Sequence, residues 1–140
     1  MSELSDYVTD IVHEPTQTEG VGFDLTAADV YEVVGPGRID FGGGELEPAT
    51  TVPHSSEKRD PDDDYEWWSL GAGQYLLAFN ESLTGEATVT VQPRTELLER
   101  GATHPTLHVD TLPRVPLSVG GAGLKLKENA RVSTIVDPET

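Results

Sequence analysis

The sequence predicts an all-β fold, a barrel or jelly roll with one short helix. Ten prolines and fourteen glycines interrupt the 140 residues at short intervals, and such residues mark turns between secondary-structure elements. The segments between them span about 5–8 residues and have the alternating or β-branched character that strands require. A series of short strands separated by turns is typical of barrels and jelly rolls.

The predicted elements follow in chain order. Alternation of apolar and polar residues predicts strands at residues 22–26, 29–34, 73–80, 87–92, 106–110, 115–119, 123–127 and 131–136. One helix is predicted at residues 95–100, with Thr95 as the N-cap and Gly101 at the C-terminal end. Because 140 residues is an ordinary length for one domain, we expect a single β domain over residues 1–140.

Residues 42–66 are predicted to form a long, solvated, acidic loop. They are rich in Gly, Pro and Ser and contain the charged run of residues 57–64. This run lacks the spaced ligands and the central glycine of a calcium loop, so a surface loop is favoured over a metal site. Trp67 and Trp68 follow, and adjacent strand residues point to opposite faces. We therefore expect one ring in the core and the other at the surface or a subunit contact.

The charge of the chain excludes several classes of partner. Aspartate and glutamate outnumber lysine and arginine by 25 to 9, which gives a net charge of −16. So acidic a chain repels phosphate backbones and anionic lipids, and neither nucleic acid nor a membrane is expected as a partner. Dense carboxylates repel one another unless salt screens them, which favours a halophilic protein over the alternative of an ordinary acidic one. No leader pattern is visible and cysteine is absent, so we expect a cytoplasmic protein without disulfides.

Several short segments occur in the order found in one enzyme family. They are Gly-Val-Gly-Phe-Asp-Leu-Thr at 20–26, Gly-Gln-Tyr-Leu-Leu-Ala-Phe-Asn-Glu at 73–81, Pro-Arg-Thr-Glu-Leu-Leu-Glu-Arg-Gly at 93–101, and closing strands at 115–119, 124–126 and 130–135. Together they cover most of the chain from Gly20 to Ile135. In this pattern the chain resembles the dUTPase and dCTP deaminase family. The resemblance implies a dUTPase-like distorted β-barrel or jelly roll.

The resemblance also implies roles for individual residues. Asp24 matches the carboxylate of the first family motif and would position a metal ion or water in catalysis. Arg94 and Thr95 match the second motif, which holds the nucleotide phosphates. Glu96 stands where a hydroxyl is usual and Glu99 where the deaminases have an arginine, so both would repel phosphate unless a divalent ion intervenes. The implied cofactor is Mg²⁺, the implied ligand a deoxynucleoside triphosphate, and the implied assembly a homotrimer with sites between subunits.

The third family motif, which supplies a catalytic carboxylate, has no recognisable equivalent in residues 101–116. If the segment in its place is extended, one strand face carries His104, Thr106, His108 and Asp110. The histidines would stand about 13 Å apart along such a strand, so a zinc site within one chain is not expected. The sequence also stops soon after residue 135, so the glycine-rich arm that closes over the nucleotide in dUTPases is not expected.

His108 and Asp110 are the candidate catalytic residues of this segment, because a histidine oriented by a carboxylate can activate water. The alternative is a solvent-facing strand whose Leu107 and Val109 point inward. Alternation of apolar and polar residues is enough to predict such a solvent-facing strand without any catalytic role, and it therefore favours this alternative.

The sequence leaves more than one function open. The leading hypothesis is a dUTP diphosphatase-like enzyme that hydrolyses dUTP to dUMP and pyrophosphate. The second is a catalytically silent nucleotide-binding or structural β trimer, which would explain Glu96, Glu99 and the missing third motif. The third is a dCTP deaminase, although Glu99 replaces the arginine that this reaction would need.

Overall fold

Antiparallel strands form the frame of the molecule in the computed structural model, which describes residues 3–136. The strands are β1 (Val8–Thr9), β2 (Phe23–Gly35), β3 (Thr50–Pro53), β4 (Trp67–Leu70), β5 (Gly73–Phe79), β6 (Ser82–Leu83), β7 (Val89–Pro93), β8 (Ala102–Thr103), β9 (Leu107–Val109), β10 (Val115–Val119), β11 (Leu124–Lys127) and β12 (Arg131–Val136). The helices are a 3-10 turn (Leu4–Tyr7), α1 (Glu14–Gln17) and α2 (Thr95–Glu99).

The main sheet has eight strands and curls into half a barrel. Its strand order is β8-β10-β5-β2-β12-β7-β9, with β3 added beside β2. Two further pairs, β1 with β6 and β11 with β4, form separate two-stranded ladders. The predicted all-β, dUTPase-like fold is confirmed.

Strand β2 connects the two halves of the sheet because it changes partners along its length. Residues 23–26 pair with β12, whereas residues 27–32 pair with β5 and the far end pairs with β3. A bulge between Ala27 and Asp29 marks the change. The prediction of two separate strands here is wrong, because the interruption is a bulge that bends one strand without ending it.

Two apolar clusters form the core, and β2 contributes to both. Ala27 and Val30 belong to the larger cluster, which also contains Trp68. Phe23 and Leu25 belong to the smaller cluster. Residues 23–27 are therefore buried without a break, where an ordinary strand would show alternation.

The predicted strands after β2 are confirmed, and the strands that the sequence did not predict are short or lie in polar sequence. β10 and β12 have the predicted bounds, and β5, β7, β9 and β11 lie within two residues of theirs. The loop prediction for residues 42–66 is wrong at Thr50–Pro53, which pairs with β2 as β3. Isolated bridges also join Arg38 to Glu47 and Glu57 to Trp67. These pairings depend on residues elsewhere in the chain, so the local sequence shows little of the alternation that predicts a strand.

The helical predictions are correct for α2 but incomplete. The N-cap position of α2 is Arg94, and Thr95 is the first helical residue, so the predicted cap is wrong by one position. Gly101 follows with a φ of +81°, a left-handed conformation that suits glycine and ends the helix. The single turn α1 was not predicted, because four residues are too few to show helical periodicity. Among residues 3–136, no helix is long and apolar enough to cross a membrane.

Candidate active site

The candidate site is built around Asp24, a buried carboxylate on the first half of β2. Its neighbours Phe23 and Leu25 point into the smaller apolar cluster, so strand alternation turns Asp24 to the opposite face. Its side chain is nevertheless only 5% exposed. A buried carboxylate needs compensating donors, since an isolated one is strongly destabilising.

Three side chains supply those donors. The hydroxyl of Thr134, directly opposite Asp24 on β12, donates to Oδ1 over 2.8 Å. Arg131 Nη1 donates to Oδ2 over 3.2 Å, and Arg94 Nε lies 3.5 Å from the same oxygen. Both carboxylate oxygens are thus engaged, and two arginines converge on one acid.

Arg94 connects this buried cluster to the surface at α2. Its Nη1 donates to the backbone carbonyl of Arg131 over 3.3 Å, and its Nη2 lies 3.2 Å from Glu96 Oε2. Glu96 is 57% exposed, and exposed ion pairs contribute only about 0–1 kcal/mol. One side of the guanidinium is therefore fixed by buried groups, while its partner on the other side can be exchanged at little cost. Thr95, also exposed, lies between these two residues in the chain.

Glu81 anchors a second buried network next to Asp24. It accepts hydrogen bonds from Thr26 N–H at 2.9 Å, from Thr26 Oγ1 at 2.6 Å and from Gln17 Nε2 at 2.8 Å. Gln17 Nε2 also donates to the backbone carbonyl of Asp24 over 2.8 Å. This network fixes α1 against β2, so the role of Glu81 is structural.

His108 and Asp110 lie away from Asp24 within one chain. β9 is an edge strand, and β7 and β12 stand between it and β2. Adjacent strands are about 4.8 Å apart, so this separation is roughly 14 Å across the sheet. His108 is exposed, and its Nδ1 lies 3.1 Å from Thr90 Oγ1. One chain therefore brings Asp24, Arg94 and α2 together without the proposed base.

The prediction that His104 shares a polar strand face with Thr106, His108 and Asp110 is wrong. His104 precedes β9 and is 3% exposed. Its Nε2 lies 2.6 Å from Ser133 Oγ, and Nδ1 lies 2.8 Å from the carbonyl of Pro105. Burial lowers the pKa of His104 below its ordinary value of 6.5, and the hydrogen bond to the Pro105 carbonyl opposes this in part.

Sequence reasoning missed Arg131 and Thr134 as members of the site. Both lie on the last strand, more than 100 residues from Asp24 in the chain, and no local spacing connects them with it. Arg131 also donates to the backbone carbonyl of Thr16 over 3.1 Å. Two signals were available: both residues fall in the closing segment 130–135 that carries the family resemblance, and arginine is scarce in so acidic a chain.

The side chains of the site do not fit a resident metal ion. Mg²⁺ needs oxygen ligands in octahedral geometry, but both oxygens of Asp24 are engaged by Thr134 and the two arginines. Throughout residues 3–136, no group of three or more ligating side chains comes together. The arrangement suits an anionic ligand on Arg94.

Fold and site together define a jelly-roll-like β protein in which a buried carboxylate fixes a partly exposed arginine beside a short helix. No family model matches the sequence. Over 128 residues the chain is 30% identical to a probable deoxyuridine 5'-triphosphate nucleotidohydrolase from Methanosarcina acetivorans, covering 86% of this chain and 71% of that protein. A protein of the same name from Methanosarcina mazei is 29% identical over 132 residues, covering 89% of this chain and 74% of that protein.

A solved structure has the same fold. It is a 2'-deoxycytidine 5'-triphosphate deaminase from Agrobacterium tumefaciens, similar with a TM-score of 0.56 at 14% identity. The match covers 94% of this chain and 43% of the deaminase chain. From the sequence relationship, this chain belongs to the dUTPase and dCTP deaminase family.

Proposed function

We propose that the protein hydrolyses dUTP to dUMP and pyrophosphate. The observation that carries the proposal is the position of Arg94, whose guanidinium is fixed by buried Asp24 on one side and paired with exposed Glu96 on the other. The relatives named as deoxyuridine triphosphate nucleotidohydrolases supply the substrate class.

The two carboxylate partners of Arg94 differ in burial, and this difference allows Arg94 to bind phosphate. A phosphate group displaces Glu96 from Nη2, because a surface ion pair is weak and a charge-assisted bond to phosphate is stronger. Asp24 keeps the guanidinium oriented throughout, since its own contacts are buried. The exposed hydroxyl of Thr95 is available to a neighbouring phosphate oxygen. Mg²⁺ is proposed to accompany the triphosphate and offset its charge, without a ligand cage of its own.

Hydrolysis also requires a base, and neither carboxylate beside Arg94 suits this role. Both oxygens of Asp24 are engaged by Thr134 and the two arginines, and Glu96 is displaced by the phosphate. Water attacks the α-phosphorus, the bond to the bridging oxygen breaks, and pyrophosphate leaves. We assign the proton of the attacking water to His108 or Asp110 of a neighbouring subunit. β9 lies at an edge of the sheet, where a second copy can approach, and a closed homotrimer repeats such a contact three times.

The direct test is pyrophosphate release and calorimetric titration in molar KCl with a panel of deoxynucleoside triphosphates. We expect turnover of dUTP. Arg94→Ala should weaken dUTP binding by about 1.5–3 kcal/mol, the range for a hydrogen bond to a charged group. Glu96→Ser should tighten binding, most visibly at low Mg²⁺, because it removes a carboxylate that competes with phosphate.

Arg38→Ala is the matched control, since Arg38 is an exposed arginine paired with a glutamate elsewhere in the chain. It should leave dUTP binding unchanged. If the parent gives no heat with any nucleotide, and Glu96→Ser does not recover binding, the hydrolase proposal fails and a catalytically silent trimer explains the chain better.

A further inference from the structure

The outer face of the β4–β11 ladder carries an aromatic ring among cations. Trp68 points inward to the core, as one tryptophan of the pair was predicted to do, and Trp67 is half-buried on the outside. Lys127 lies directly opposite Trp67 in the ladder, and its ammonium is 5.5 Å from the indole centroid. The guanidinium of Arg59 lies 5.3 Å from the same ring. Both distances fall within the range of cation–π attraction.

Trp67 lines three cavities, and two of them also share Lys125; we call these two together the Trp67 groove. The first, of about 300 Å³, is lined by Glu57, Lys58, Arg59, Trp67, Ser69 and Lys125. The second, of about 200 Å³, lies between β11 and α2. Trp67 and Lys125 line both cavities, so the two form one continuous surface feature.

The charge of the Trp67 groove is opposite to that of the whole chain. Six of the nine lysines and arginines line it, namely Lys58, Arg59, Arg100, Lys125, Lys127 and Arg131. Of the 23 acidic residues within residues 3–136, only Glu57 and Glu96 do so. In a chain with a net charge of −16, so local a concentration of cations creates a site that attracts a small anion.

The second cavity is apolar beneath these cations. Leu97, Leu124, Leu126 and Val132 line it beside Arg100 and the two lysines of β11. A ligand for this surface needs a flat apolar part as well as negative charge. Long nucleic acids are disfavoured, because a polyanion meets the repulsion of the whole acidic chain while a small ligand meets only the local field.

We propose that the Trp67 groove binds a nucleotide, with the base against Trp67 and the phosphate on Lys125 and Lys127. Base stacking on an aromatic side chain and phosphate contact with lysines are the interactions that these residues offer. The proposal does not rest on dUTP hydrolysis. The groove is a second site beside the one at Arg94, and it shares only Glu96 and Arg131 with that site's surroundings.

The test uses the full chain, with dUMP as the probe, and two readouts, tryptophan fluorescence and heat. Trp67 is the half-exposed tryptophan and Trp68 is buried, so a ligand in the groove should change the emission of Trp67. We expect dUMP to quench it and 2'-deoxyuridine to have no effect. Pyrophosphate should bind more weakly than dUMP, because it lacks a base. Trp67→Phe should lose the fluorescence change and weaken the heat signal without abolishing it.

Lys125→Gln combined with Lys127→Gln should weaken dUMP binding about tenfold or more, from the loss of two charged hydrogen bonds. The matched control, Arg38→Gln combined with Arg114→Gln, removes the same charge outside the groove and should bind dUMP as the parent does. Arg94→Ala should keep the Trp67 response even though it loses the proposed active site.

A response lost in Arg94→Ala but kept in the lysine variant would place dUMP at Arg94. That result overturns the groove proposal and leaves the hydrolase proposal intact. Absence of any response in the parent, or equal affinity for pyrophosphate and dUMP, also overturns the assignment to a nucleotide.

Discussion

His104 is a neutral residue in a buried polar contact, and its protonation couples stability to pH. The carbonyl of Pro105 can only accept, so Nδ1 carries the proton and Nε2 accepts from Ser133 Oγ. Burial depresses the pKa of the folded state below the ordinary value of 6.5. The unfolded chain therefore binds a proton more readily than the folded chain at mildly acidic pH. The neutral ring contributes its full stability above about pH 6.5, and this contribution falls as the pH drops below that value.

We predict that the free energy of unfolding falls on acidification from pH 7.5 to 5.5 more steeply in the parent than in His104→Gln. A single proton limits this extra slope to about 1.4 kcal/mol per pH unit. Denaturant titrations at each pH measure it. His13→Gln, which changes an exposed histidine, is the control and should keep the slope of the parent. Identical slopes in the parent and His104→Gln would contradict the prediction.

Among the secondary-structure elements, β2 and β9 determine which site residues one chain can bring together. β2 passes from one half of the sheet to the other and carries Asp24 to the strand that holds Arg131 and Thr134. β9 ends the sheet three strand positions from β2, with exposed His108 and then Asp110. Arg94 follows β7, the partner of β9, but His108 lies opposite Thr90, four residues before Arg94 and about 13 Å from it along an extended strand. A base on β9 would therefore serve Arg94 only if β9 came from another copy.

We predict complementation between Arg94→Ala and Asp110→Asn, assayed at a dUTP concentration at which each variant alone releases little pyrophosphate. In a mixed ring, a subunit with intact Arg94 meets a neighbour with intact Asp110, so an equal mixture should regain roughly a quarter of the parent's sites. The measurement is pyrophosphate release after the two variants are unfolded together and refolded, with each variant refolded alone as the control. Light scattering in the same buffer should give the mass of three chains. A single-chain mass, or no regained activity although Asp110→Asn alone releases little pyrophosphate, contradicts the shared site.

For the molecule as a whole, the high negative charge is expected to have the largest influence on how stability depends on salt. A net charge of −16 on 15.1 kDa generates repulsion among surface carboxylates that few cations offset. Six of the nine cations are concentrated at the Trp67 groove, so the remaining surface is more acidic than the average composition suggests. We propose that the protein is adapted to high salt.

Thermal melting across a KCl series tests this proposal. Screening should raise the melting temperature, with most of the gain below about 1 M, where the screening length has already shrunk to about 3 Å. Salt effects on hydrophobic burial continue to grow at higher concentration, so an early plateau identifies the electrostatic part. A melting temperature that stays flat from low to molar KCl counts against the halophilic interpretation.

Local patterns in the sequence suffice to predict the fold class and most of the sheet. Strands such as Val115–Val119 and Arg131–Val136 follow from local alternation and the turn residues around them, because strand periodicity and chain reversal are local properties. Family resemblance in short motifs added Asp24 and Arg94, which lie together as those motifs implied.

Which distant residues share a site depends on long-range strand pairing and packing, which local patterns do not predict. The pairing of β2 with β12 brings Arg131 and Thr134 to Asp24 across more than 100 residues. The packing of His104 on Ser133 removes that histidine from the polar face of β9. Such contacts form when chain crossings bury one strand face against another. The local sequence around each residue therefore does not predict these contacts.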